Sequence, residues 1–259
     1  EQNLVSTALG LSKRGKIPFI STFAAFLSRA FDQIRMAQYA NANIKITGSH
    51  AGVSIGEDGA SQMGLEDIAM FRALLNSVVL YPSDAVSSNK LVEEATNHKG
   101  IVYMRTTRSI TPILYKNEDK FPIGGSKMLK SSNKDILTVI AAGITLHEAL
   151  KAYEQLKREN ILIRVIDLYS IKPIDQKTLQ KAASETKAII TVEDHFEAGG
   201  LGEAVKSALS ETGAKIYSLA VTKMPKSGKP QELLDFEEIS STSIIQLVKK
   251  VVLTLSPMV

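Results

Sequence analysis

Ile17-Pro-Phe-Ile-Ser-Thr22, Ile44-Lys-Ile-Thr-Gly48, Val78-Val-Leu-Tyr81 and Ile101-Val-Tyr-Met-Arg105 are four short, apolar runs rich in β-branched residues. Each has the length and make-up of a buried strand. Between them, Ala24–Ala37, Glu66–Leu74 and Asp84–Asn97 carry apolar residues at helical spacing. Strands that alternate with helices imply βαβ units, because a parallel neighbour is reached only by a crossover. The first half therefore reads as an α/β domain on a largely parallel sheet.

The same theme continues past residue 135. Leu137–Ala142, Ile161–Ile166, Ala188–Val192 and Ile216–Val221 read as strands, with helices near Lys177–Ser184, Leu201–Ser210 and Ile244–Leu253. Thr145-Leu-His-Glu148 has the form of a capping box opening a further helix. Leu146, Ala149, Leu150, Tyr153 and Leu156 form the apolar stripe of that helix. Tyr115–Asn133 is polar and aperiodic, carries Pro122, Gly124 and Gly125, and reads as a connection. The expected fold class is α/β: two consecutive three-layer domains at 1–120 and 135–259, the second smaller, joined by a linker at 121–134. No solenoid period and no low-complexity stretch is present.

Composition narrows the function. At 44% hydrophobic and 22% charged, the 259 residues are ordinary globular material, enough for two cores. The sequence has no cysteine, which excludes disulfides, thiolate metal sites and cysteine nucleophiles. It also fits a reducing compartment, and a cytoplasmic location is expected. No apolar run approaches bilayer-spanning length, so no membrane partner is expected. The net charge of +4 is spread along the chain. That pattern suits small anionic substrates and gives no basic stripe for nucleic acid. The first residue is Glu1 and not Met, so the first domain is expected to be incomplete at its start, with Glu1 frayed and solvated.

Ligands of open α/β sheets bind beyond the carboxyl ends of the strands. Phe23, His50, Asp84 and Arg108 each follow one of the four runs, so an aromatic ring, an imidazole, a carboxylate and a guanidinium converge there. The alternative is that loops are polar anyway. The longest such loop runs from Gly48 to Gln62 with four glycines and almost no period, a length usually reserved for function. Gly56-Glu-Asp-Gly59 within it lacks the ligand spacing of a calcium loop, and no metal residue is assigned.

Several blocks match one family in order and spacing. Glu1-Gln-Asn3, Pro18–Phe26, Arg29–Arg35, the Gly48–Gln62 loop, Tyr81-Pro-Ser-Asp84 and Arg105-Thr-Thr-Arg108 resemble the pyrimidine-binding domain of transketolases. Thr145–Ala149, Lys172-Pro173, Thr191-Val-Glu-Asp-His195, Gly199–Glu203 and Ser227-Gly-Lys-Pro230 resemble the C-terminal domain of the same family. The likeness covers essentially the whole chain and is greatest to the animal-like branch and to split bacterial and archaeal forms. Many microbial and yeast members end the loop in Thr-His-Gln. Here it ends Ser61-Gln62-Met63, so Gln62 is carried over and no histidine is.

The resemblance implies thiamine diphosphate, which supplies a stabilised carbanion at its thiazolium carbon. It implies that Glu1 is the carboxyl group sharing a proton with the aminopyrimidine, where alone it would read as a solvated end. Phe26, with Phe23, would lie against that ring, although aromatics three apart are usually core. His50 and Arg108 would bind a sugar phosphate, Arg through its two parallel donors. Asp58 would accept a substrate hydroxyl, or otherwise hold an Asx turn. Gln62 would be a cofactor-site amide. Gly199–Gly202, His147, His195 and the basic segment Met224–Pro230 read as structural or surface features.

The family holds the diphosphate through magnesium on a Gly-Asp-Gly segment with an Asn pair, and this sequence has none. A diphosphate- and magnesium-binding half is therefore expected as partner, as a separate subunit or as missing sequence. The full assembly would be a dimer of complete units or an α2β2 heterotetramer. The implied activity is reversible ketol transfer from a ketose phosphate such as xylulose 5-phosphate to an aldose phosphate such as ribose 5-phosphate, in the pentose phosphate pathway. A 2-oxo-acid dehydrogenase β subunit, deoxyxylulose-phosphate synthase and a non-catalytic transketolase-like interaction protein are the alternatives.

Overall fold

A computed structural model describes residues 1–255 as two five-stranded sheets with helices packed on them. The first half comprises α1 (Gln2–Lys13), β1 (Phe19–Phe23), α2 (Phe31–Tyr39), β2 (Lys45–Ser49), α3 (Asp67–Ala73), β3 (Val78–Leu80), α4 (Ala85–Asn97) and β4 (Val102–Arg105). The remainder runs β5 (Lys127–Lys130), β6 (Leu137–Ala141), α5 (Ile144–Arg158), β7 (Ile163–Asp167), β8 (Ser170–Lys172) and α6 (Gln176–Glu185). It ends with β9 (Ile189–Phe196), α7 (Leu201–Ala208), β10 (Ile216–Val221), α8 (Pro230–Phe236) and α9 (Ser241–Leu255).

The sheet orders are β1-β2-β4-β3-β8 and β10-β9-β6-β7-β5. In each, four strands are parallel and one edge strand, β8 or β5, is antiparallel. The α/β expectation is met, with an exchange it did not include. β8 belongs to the second half of the chain yet pairs with β3, completing the first sheet. The segment read as a bare connection, Tyr115–Asn133, carries β5, which closes one edge of the second sheet.

Side-chain alternation explains how both faces of each sheet are filled. In β6, Leu137, Val139 and Ala141 join α5 and α9 in one core, while Ile140 faces the other way. In β4, Val102 and Met104 pack with Leu91 and Ala95 of α4, and Tyr103 faces the opposite core. That second core is continuous between the halves, since Ile46 and Tyr103 share it with Ile140, Ile166 and Leu201. Strands buried on both faces read as unbroken apolar runs, which is why they are visible in sequence.

Several local expectations change. Residues 24–37 are not one helix: a 3-10 segment, Ala25–Ala30, precedes α2. Thr145 does not cap α5, whose N-cap is Gly143. The Thr145 hydroxyl donates instead to Ala142 O (3.0 Å) and Val192 O (2.9 Å). Glu148 accepts from Ser241 N at 2.8 Å, tying α5 to α9. Asp84 follows β3 and is the buried N-cap of α4, in a capping box with Ser87, so one carboxylate oxygen is already taken up by its own helix. Its other oxygen accepts from Leu114 N and Tyr115 N, and this set of N–H bonds holds its pKa low against burial.

Two buried polar clusters lock the halves together. Ser83 Oγ donates to Asp167 at 3.1 Å and accepts from Gly143 N at 2.9 Å. Tyr115 donates to the same Asp167 at 2.6 Å, and burial pushes that carboxyl up to about 7. In the other cluster, fully buried Arg105 pairs with Asp67 at 2.9 Å. Its Nη2 donates to Gly64 O (2.9 Å) and Asp194 O (2.8 Å), and its guanidinium lies 4.7 Å from the Tyr81 ring centre. Removing one member of such a pair strands a charge in the core. Asp67→Ala is expected to lower stability by about 3–5 kcal/mol, and Asp67→Leu with Arg105→Met by much less, measured by urea unfolding.

Candidate active site

The carboxyl ends of β1, β2 and β4 lie side by side, with Phe23 opposite Ser49 and Gly48 opposite Arg105. Backbone bonds extend the pairing past the strands: Ala24 N to Ser49 O (2.7 Å), Thr106 N to Gly48 O (2.9 Å) and Ala51 N to Thr106 O (3.2 Å). Three chain segments therefore leave one edge in fixed relation.

On this edge the rings of Phe26, Phe23 and His50 form one stack. Phe23 is the middle member, 5.2 Å from Phe26 at 7° and 3.8 Å from His50 at 10°. Phe23 ends β1 and Phe26 sits in the 3-10 segment, so their spacing is not that of a helix face. His50 has φ of 53°, a left-handed conformation that few non-glycine residues adopt and that concentrates at functional sites. Its Nδ1 lies 3.1 Å from Ser49 Oγ.

Glu1 is half-buried and not frayed. Its carboxylate makes no cap bond to α1 and accepts instead from the Thr22 hydroxyl at 3.1 Å. Gln2 Nε2 donates to Arg29 O at 3.3 Å, which ties the start of α1 to the segment carrying Phe26. Thr22 had no role in the sequence reading. Its signal was its place one residue before the strand end.

Further along the edge, Arg108 Nη1 lies 3.2 Å from Asp58 Oδ1 and donates to Ile55 O at 3.3 Å. The pair is 46% and 31% exposed, so it contributes little stability and leaves donors facing solvent. Gln62 closes a second 3-10 turn, Ala60–Gln62, at the far end of the loop. A cavity of about 630 Å³ lies elsewhere, at the amino ends of the strands, lined by Asn43, Lys99 and Ile101 and by none of these residues.

The second domain reaches this loop through the segment after β10. Met224–Pro230 is not a free surface loop: Cβ atoms at Gly56 and Gly59 would press on Pro230 and Ser227. Gly199–Gly202 cradles no outside anion. Leu201 N and Gly202 N donate to Glu193 at 2.5 and 2.8 Å, and burial still pushes that carboxyl up to about 8. His147 Nε2 meets Ser83 O at 2.7 Å, as an interface group.

A flat ring stack with a half-buried carboxyl group beside it fits a flat heterocycle carrying hydrogen-bonding nitrogens. Among the described residues, no group of three or more His, Asp or Glu could hold a metal ion. The fold is that of a pyrimidine-binding domain followed by a C-terminal domain, as in thiamine-dependent enzymes. Residues 1–113 match the family model for the transketolase pyrimidine binding domain, and 126–244 that for the transketolase C-terminal domain. The chain is 55% identical over 256 residues to mouse transketolase-like protein 2 and 53% over 252 residues to human transketolase. These matches cover 98% and 96% of this chain but only 41% and 40% of those proteins. A solved structure described as a split gene transketolase, inactive beta4 tetramer, superposes with a TM-score of 0.87 at 38% identity. That match covers 96% of this chain and 80% of the other. The chain belongs to the transketolase family and corresponds to its C-terminal portion.

His195, beside this site, supplies a pH test. It is buried, with Nδ1 2.5 Å from Phe196 O and Nε2 3.5 Å from Ala69 N, an arrangement that suits the neutral ring. Burial lowers its pKa from 6.5 to about 4. Below pH 6.5 the unfolded chain takes up a proton that the folded chain refuses until about pH 4. The His195 contribution to stability is therefore expected to fall across that window by roughly 3 kcal/mol, opposite in sign to the contributions of buried Asp167 and Glu193, and the test is the difference in slope between the parent and His195→Gln profiles in urea unfolding.

Proposed function

We propose that this chain is the pyrimidine-binding and C-terminal part of an active transketolase. The complete enzyme transfers a two-carbon ketol unit reversibly from a ketose phosphate, such as xylulose 5-phosphate, to an aldose phosphate, such as ribose 5-phosphate, in the pentose phosphate pathway. The observation that carries the reading is one sheet edge holding the Glu1 carboxyl, the Phe26–Phe23–His50 stack and the Asp58–Arg108 pair.

Thiamine diphosphate, when bound, supplies the nucleophilic carbon. Glu1 holds a proton at a nitrogen of the aminopyrimidine, and the Thr22 hydroxyl orients that carboxyl. Phe26 and Phe23 form the wall against the ring, and Gln62 donates or accepts at the cofactor. His50 hydrogen-bonds a substrate oxygen on this reading, supported by its place at the end of the ring stack. Asp58 accepts a sugar hydroxyl, and Arg108 pairs with the phosphate through donors its ion pair leaves free. The diphosphate and a magnesium ion belong to a second half, in keeping with a chain that spans about two fifths of its longer relatives. The assembly is a dimer of complete units or an α2β2 heterotetramer. A cytoplasmic setting completes the proposal, supported by the cysteine-free sequence.

In the completed enzyme, Arg108→Ala is expected to weaken phosphorylated substrates by about 1.5–3 kcal/mol and unphosphorylated analogues far less. Equal losses in kcat/KM for both would remove Arg108 from the phosphate. Glu1→Gln should slow deuterium exchange at the reactive carbon of the cofactor steeply while the circular dichroism spectrum stays that of the parent. The chain assayed alone with thiamine diphosphate and magnesium is expected to show no ketol transfer, and turnover should require a diphosphate-binding half.

A further inference from the structure

The loop from residue 48 to 62 carries His50, Asp58 and Gln62, yet its only regular structure is two 3-10 turns, Val53–Ile55 and Ala60–Gln62. Its base is tied within the first domain, by Ala51 N to Thr106 O and Gly52 N to Gly64 O, and its first turn is held from the second domain. Asp194, fully buried near the end of β9, directs both carboxylate oxygens at the start of the first turn. Oδ1 accepts from Val53 N at 2.7 Å and Oδ2 from Ser54 N at 3.1 Å. The carboxylate thus does for this turn what a capping side chain does from within the chain, where the N-cap residue is Gly52 and has none. Gly52 has φ of 87°, and a Cβ there would overlap the Asp194 carboxylate. Asp194 is itself anchored, because its carbonyl accepts from Arg105 Nη2 at 2.8 Å. Arg105 ends the strand that leads to Arg108.

We infer that Asp194 is a positioning residue for the substrate site. It holds the turn at 53–55 so that His50 before it and Asp58 after it face Arg108 at a set separation. The inference rests on the reading of His50, Asp58 and Arg108 as substrate residues. A carboxylate suits the task and an amide does not. Two N–H groups converge on it, and Asn would turn an N–H2 toward one of them.

The test uses the chain assembled with its diphosphate-binding half. In Asp194→Asn, KM for the ketose phosphate donor is expected to rise about tenfold or more, the size of a lost charge-assisted bond. Half-saturation by thiamine diphosphate should rise much less than KM, because the wall and Glu1 lie outside the loop and Gln62 sits in its second turn, away from Val53 and Ser54. Amide hydrogen exchange at Val53 and Ser54 should accelerate about tenfold or more while amides of β2 and β4 keep the parent rate. A purely structural role would lower the melting temperature and leave KM alone. A folded Asp194→Asn enzyme with the parent KM, or with parent protection at Val53 and Ser54, overturns the inference. Should that variant not fold, Gly52→Ala gives the same two readings, since it keeps the carboxylate and displaces the loop from it. Asp58→Ala is measured alongside. If it too leaves KM unchanged, the substrate reading fails and the positioning role falls with it; if only the Asp194 variant does, the positioning role alone fails.

Discussion

The guanidinium of Arg105 fixes the relation on which the rest of this structure depends. A full positive charge with no exposure is costly to bury, and it persists only where partners surround it. Those partners come from four places: Asp67 at the start of α3, Gly64 at the end of the glycine-rich loop, Asp194 on β9 and the ring of Tyr81. Tyr103 adds a hydrogen bond to Asp67 at 2.6 Å. One side chain thereby sets β4, the base of the loop and the second sheet against one another. A weaker or more mobile contact would leave the loop free to choose among shapes.

The two ion pairs at this edge have opposite uses. Arg105–Asp67 is dry, shared and committed, so its energy goes into specifying one arrangement of two domains. Arg108–Asp58, a few residues on, is open to water, so its charges remain available to a ligand. The two pairs use the same residue types, and burial alone distinguishes the closed one from the one open to water. The buried carboxylates Asp167 and Glu193 repeat the architectural use, each answered by hydroxyl or N–H donors from elements distant in sequence.

The edge offers a stack of three rings, a half-buried carboxyl group and a guanidinium open to solvent. On the proposed reading this edge takes the pyrimidine ring and a partner half takes the diphosphate. The glycine-rich loop at the edge is held in part from the C-terminal domain, by Asp194 and by the Ser227–Pro230 segment.

The local pattern of the sequence marks eight of the ten described strands, all but β5 and β8, most of the helices and the edge at which Phe23, His50 and Arg108 emerge. Those features follow from local periodicity and from the rule that ligands meet the carboxyl ends of parallel strands, so short windows reveal them. It left α1 unread, although Val5 and Ala8 mark its buried face, because no strand preceded it to begin the pattern. Asp84 and Thr145 were misread for a related reason: a carboxylate or hydroxyl at an element boundary looks the same whether it serves a ligand, its own helix or a distant carbonyl. Packing alone settles that Asp84 caps α4, that β8 crosses to the first sheet, and that Asp194 bonds the loop 140 residues away at Ser54. Such pairings leave no period in the chain, since they are set by which surfaces the packed sheets bring together.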